Sequence, residues 1–197
     1  MSPLSFYESD QFVKLRTELI ARYNEPHRFY HNIFHINDML NITMGCRPQN
    51  VGIVNLIIWY HDAIYDPTRK DNEEKSAELA IEQLKNHLNA EDVDYVASGI
   101  LLTKHQFSSH LLTTDMSVVI DADLYILSHD WCYTAYARAI RKEYSHCSDA
   151  QYIAGRKQFL EKMLFKKSYY GIFTQRNDKA KKNMQMELDY LNKDILL

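Results

Sequence analysis

Apolar residues along this chain recur at helical spacing almost throughout. Between Ser9 and Tyr23, Phe12, Leu15, Leu19 and Ile20 fall on one face, which predicts an amphipathic helix stopped by Asn24-Glu25-Pro26. A second helix is expected through Tyr30 to Leu40, ending near Gly45 and the Arg47-Pro48 turn. Residues 51 to 65 are apolar nearly all round, as in a helix at the middle of a bundle. A strand over Ile53 to Tyr60 is the competing reading, and the continuous length favours helix. Asp71 or Asn72 caps a fourth helix with Ala77, Ala80, Ile81, Leu84 and Leu88 as its buried stripe. Asn89 caps a fifth, with Val93, Val96, Ala97, Ile100 and Leu101 inward. A sixth covers roughly Met116 to Leu127, and a seventh Trp131 to Tyr144, with Tyr133, Tyr136, Ala137, Ile140 and Tyr144 as its stripe. Ser148-Asp149-Ala150-Gln151 has the form of a capping box and opens an eighth helix to Phe165. The last runs from about Asn177 to Leu191, with Lys179, Lys181 and Lys182 on a solvated face. No repeat or dividing linker interrupts the series, so one all-α bundle of eight or nine helices is expected over residues 1–197.

Composition narrows the class without naming a chemistry. Only 5 Gly and 4 Pro in 197 residues argue against a β-rich fold built on tight turns. A formal charge of −3 leaves no basic excess for a dedicated nucleic-acid binder. No apolar run reaches the roughly 20 residues of a membrane span, and Met1 to Glu8 lacks the basic and apolar regions of a signal peptide. Cys46, Cys132 and Cys147 show no C-x-x-C spacing and read as reduced thiols, which points to the cytoplasm.

Ionisable residues break the apolar pattern in four places. On a helical wheel Val119, Ile120, Asp123, Ile126 and Leu127 share one face, while Asp121 lies about 200° away. That selects Asp123 as a buried carboxylate, which needs either an Arg partner or a metal. His61-Asp62 ends the apolar helix among Trp59, Tyr60, Ile64 and Tyr65. As adjacent helix residues they diverge by about 100°, so both reach one ion only if it sits beside the helix. A core His bonded to a backbone carbonyl, with Asp62 capping the following loop, is the alternative. His31 and His35, spaced i, i+4, can hold a metal or arise by chance among nine histidines. His105 follows Thr103-Lys104 at a helix end, where a surface His closing the helix is equally open.

Taken together, His35, His61-Asp62 and Asp123 follow the order of ligands in the HD superfamily of metal-dependent phosphohydrolases, an all-α fold. Tyr30-His31-Asn32 with His35, Trp59 to Pro67, Asp71 to Ala77, Thr103-Lys104-His105 and Asp121 to Leu124 are similar to a subgroup of small stand-alone members. So are the runs around Ile140 to Tyr144 and Gly155-Arg156; the likeness spans about Tyr23 to Thr174. The resemblance implies one divalent ion on His35, His61, Asp62 and Asp123, where the mixed N/O set suits Mn, Fe, Co, Ni or Zn better than Mg. It also implies hydrolysis of a small phosphorylated substrate, a nucleotide or other metabolite, by water activated on that ion. Asp62 is then the residue to take the water's proton, His105 the group to stabilise phosphoryl charge or protonate the leaving oxygen, and Asp66 and Glu73 further general-acid candidates. Arg141 and Arg156 are candidates to clamp a phosphate, with a structural role as the alternative, and His31 to orient a ligand or water. Two rivals remain at this point: a non-catalytic HD bundle with a structural metal, binding a nucleotide or partner, and a di-iron oxygenase-type relative.

Overall fold

The structure is a computed structural model that describes residues 1–104 and 112–197. Its described residues form ten α-helices and no strand. No helix among them is long and apolar enough to cross a membrane. The chain divides into two compact units, Met1–Ala122 and Asp123–Leu197.

In the first unit the apolar stretch is the central helix. α4 (Val51–Tyr60) buries eight of its ten residues and packs against α1 (Pro3–Tyr7), α2 (Asp10–Tyr23), α3 (Ile33–Met44), α5 (Asn72–Leu84) and α6 (Ala90–Leu102). The side chains of Asn50 and Asn89 cap α4 and α6 by accepting from the N3 amides of Ile53 and Asp92. Asp115, at the start of α7 (Thr114–Asp123), accepts from the amides of Gln49 (2.6 Å) and Asn50 (2.8 Å), placing a buried carboxylate at the positive end of α4.

α1 has no counterpart in the sequence expectation, being too short to carry a period. It lies against α4 at Gly52, where a methyl group would land on the backbone of Pro3 and Leu4. Helix propensity alone favours alanine there by about 1 kcal/mol, but the clash is with backbone, which cannot swing aside. Gly52→Ala is therefore expected to destabilise the protein by roughly 1–3 kcal/mol, read as a lower urea midpoint.

The second unit holds a 3-10 turn (Leu124–Ser128), α8 (Tyr133–Glu143), α9 (Asp149–Leu164) and α10 (Asn177–Leu191). α10 packs on α9 and on the turn, and α8 packs on the turn. The capping box at Ser148 and Gln151 is formed as its sequence predicts. At the core Glu187 accepts from Arg156 Nε (2.9 Å), Arg156 Nη2 (3.0 Å) and the Tyr133 hydroxyl (2.6 Å).

Several boundaries differ from the sequence reading for identifiable reasons. Ile81 is 41% exposed, outside the stripe assigned to it. α3 begins at Ile33, because the Asn32 side chain caps it through Phe34 N, so His31 precedes the helix. α7 ends at Asp123 and tightens into the 3-10 turn. Within α7 the buried face is Asp115, Val118, Val119 and Ala122, with Asp121 beside it at 1% exposure, while Ile120 is only half-buried. Asp123, selected as the buried carboxylate, is half-buried. Lys179, Lys181 and Lys182 lie on an exposed face as expected, with Lys179 paired to Asp130 at 2.8 Å.

Candidate metal centre

α4 ends five residues before the apolar pattern does. In a continuing helix Ile58 C=O would accept from Asp62 N–H and Trp59 C=O from Ala63 N–H. The last regular bond is His61 N–H to Ile57 C=O (2.9 Å). Beyond it, Ile58 C=O is bonded to His61 Nδ1 at 2.9 Å. Trp59 C=O accepts from the Tyr23 hydroxyl (2.9 Å), whose oxygen takes a hydrogen bond from the Asp62 amide. Ala63 N–H drops back to Tyr60 C=O (3.0 Å), closing a tight turn. Arg28 then donates to the carbonyls of Asp62 (2.6 Å) and Ala63 (3.1 Å), and also to His31 C=O (3.2 Å) and Glu25 (2.9 Å). Its guanidinium is wholly buried and lies over the rings of Tyr23 and Tyr65.

This turn resolves the divergence of adjacent helix residues. His61 sits at the helix C-cap and Asp62 lies past it. His61 Nε2 is 3.0 Å from Asp62 Oδ2 and 3.3 Å from His35 Nε2, and the His35 to Asp62 separation is 3.9 Å. Both imidazoles are buried, while the Asp62 side chain is 15% exposed. Because Ile58 C=O only accepts, His61 carries a proton on Nδ1, and in the neutral ring the Nε2 lone pair then faces inward. The alternative of a core His bonded to a carbonyl is thus true of the same ring that faces the cluster.

A lone pair, a second imidazole nitrogen and a carboxylate oxygen at such distances repel unless a proton or a cation lies among them. Ligands about 2.1 Å from one ion stand roughly 3.0 Å apart at a right angle and 3.4 Å at the tetrahedral angle. The two shorter separations fall in that interval, and the third fits a wider angle. His35, His61 and Asp62 form a group able to hold a metal ion.

The loop after the site is tied to α5. Asp66 N–H donates to Asn72 Oδ1 (3.1 Å) and Asn72 Nδ2 to Asp66 C=O (2.9 Å), while Ser76 Oγ accepts from Ile64 N–H (3.0 Å). Lys104 bridges from the end of α6 to Glu74 (2.5 Å), Lys70 C=O (2.8 Å) and Glu73 (3.7 Å). Its hydrogen bond draws the Glu74 carboxyl below its usual range.

Other candidates fall as follows. The His31 ring is stacked on Tyr65 at 4.3 Å and meets His35 edge-on at 6.0 Å, so it borders the group from a turn. Asp66 accepts from Thr68 N–H (2.8 Å) and Thr68 Oγ1 (2.7 Å), which pull its pKa down. Those bonds favour the charged form of the carboxyl, whereas a general acid must first hold a proton. Arg156 is buried against Glu187, and Arg141 holds Asp149 (2.5 Å), Tyr144 C=O (2.9 Å) and Cys147 C=O (3.2 Å) between α8 and α9. Both guanidinium groups are committed to structure, which corrects the phosphate-clamp expectation. His105 lies outside the described residues. Tyr23 and Arg28 are the site-forming residues that sequence reasoning missed; an Arg in a polar turn after Pro26 carries no periodic signal of burial.

Compared with protein-family models, curated proteins and solved structures, the chain matches none. The class that fold and site define is an all-helical protein carrying a His/His/Asp group able to hold a metal ion.

Proposed function

We propose that this protein is an HD-type metal-dependent phosphohydrolase acting on a nucleotide or another small phosphorylated metabolite. The observation that carries this reading is the convergence of His35 Nε2, His61 Nε2 and Asp62 Oδ2 where α4 ends. Those residues follow the order in which the sequence blocks resemble that superfamily. Asp123 is assigned as a fourth ligand by the sequence pattern alone. Two imidazoles with carboxylate oxygen suit Mn, Fe, Co, Ni or Zn better than Mg.

When bound, such an ion supplies an acidified water and offsets charge on a phosphoryl oxygen. The chain's residues supply the rest. Asp62, the exposed member of the group, takes the proton of an attacking water. Asp66 and Glu73 are the carboxyl candidates for returning a proton to the leaving oxygen, and His105 is assigned to the phosphoryl charge. Among the described residues the group offers three ligand atoms, and a catalytic ion, unlike a structural zinc, keeps a coordination position open to water or substrate.

The test is a screen of nucleotides, sugar phosphates and phosphodiesters with Mn, Co, Ni, Zn and Mg in turn. Turnover with a transition metal, abolished by chelation, is the expected result. A protein that binds the metal yet turns over nothing in any combination overturns the catalytic reading in favour of a structural metal.

A further inference from the structure

We infer that Tyr23 and Arg28 are positioning residues that build the metal centre by ending α4 at the one place where His61 and Asp62 face a common point; this rests on the metal-binding reading above. Two adjacent residues of a continuous helix diverge by about 100°, and here they converge because three successive carbonyls leave the helical ladder. Tyr23 inserts its hydroxyl between Trp59 C=O and Asp62 N–H, taking the place of bonds that would carry the helix onward. Arg28 spans the carbonyls of Asp62 and Ala63 on one side and of His31 on the other. A single planar fork thereby fixes the turn bearing two ligands against the segment leading into α3, which bears His35. Neither side chain is placed as a ligand; both act through backbone.

Arg28 also brings a buried positive charge near a cation site, at a cost to metal affinity. Glu25 at 2.9 Å offsets part of that repulsion. A lysine keeps the charge and loses the fork, so Arg28→Lys separates the two effects.

The experiment titrates Co(II) into the full chain, reading the dissociation constant and the d–d absorption spectrum, with circular dichroism and thermal midpoint measured alongside. The expected result is one Co(II) per wild-type chain, and affinity lowered about tenfold or more in both Tyr23→Phe and Arg28→Lys with an altered spectrum. Folded variants with wild-type affinity and spectrum, whatever their midpoint, overturn the inference and leave the metal centre standing. No Co(II) binding by the wild type overturns the metal reading itself. Should Arg28→Lys fail to fold, Tyr23→Phe, which deletes one oxygen, decides.

Discussion

Asp62→Ala is expected to reduce bound transition metal from about one ion per chain to near none and to lower phosphoester hydrolysis by at least about 10³-fold. Its side chain provides one of the three converging atoms able to hold a metal ion, and under the proposed reading the negative charge that would offset a divalent one. The fold should survive, because Tyr23 and Arg28 hold residue 62 through its main-chain amide and carbonyl, which alanine retains. Helical content and thermal midpoint near wild type, together with metal loss by elemental analysis, constitute the result. Full metal retention in a folded Asp62→Ala protein would remove the assignment. His61→Ala is a less clean probe, since it also frees Ile58 C=O in the core.

The second large effect concerns stability. Glu187→Ala is expected to cost about 3–5 kcal/mol, because it strands the buried Arg156 guanidinium without its counter-charge. Arg156 is 7% exposed and Glu187 2%, and three hydrogen bonds converge on that carboxylate. In a chain of this size the loss amounts to a fall of roughly 10 °C in melting temperature. Replacing both partners, as Arg156→Met with Glu187→Leu, should recover most of it, since two packed apolar groups leave no charge unpaired. Single and double variants differing little would mean that the pair is solvated. Metal content is expected to stay at the wild-type level in all three.

Elements with local signals were legible in the sequence. α2, α6, α9 and α10 begin or end within a residue or two of their predicted limits, because Asn89 and the Ser148-Gln151 box are caps readable from adjacent residues. The pairing of His35 with His61-Asp62 was legible through the ordered blocks, and the distances fit it. What escaped depends on partners remote in sequence. The end of α4 is made by Tyr23 and Arg28, more than thirty residues upstream. The wheel was centred on Ile120 and Asp123, whereas the face of α7 that packs inward runs through Val118, Val119 and Ala122, and so it passed over the buried Asp121 two positions away. Arg156 belongs to a block that suggested substrate, whereas Glu187 and Tyr133 bind it from distant positions.

The carboxylate of Asp115 on the amides of Gln49 and Asn50 has a consequence for how the protein is made. α4 is held at its far end by residues that precede it by some thirty positions and at its near end by one that follows by sixty-five or sixty-six. During synthesis the N-terminal end of the central helix cannot be finished until the chain has grown past Asp115 and left the ribosome, whereas the Tyr23 and Arg28 contacts at its other end come from residues already made. Those long sequence separations make the first unit a slow, all-at-once folder for an all-helical protein. They also mean that the amides of α4 should exchange with solvent only when the whole unit opens.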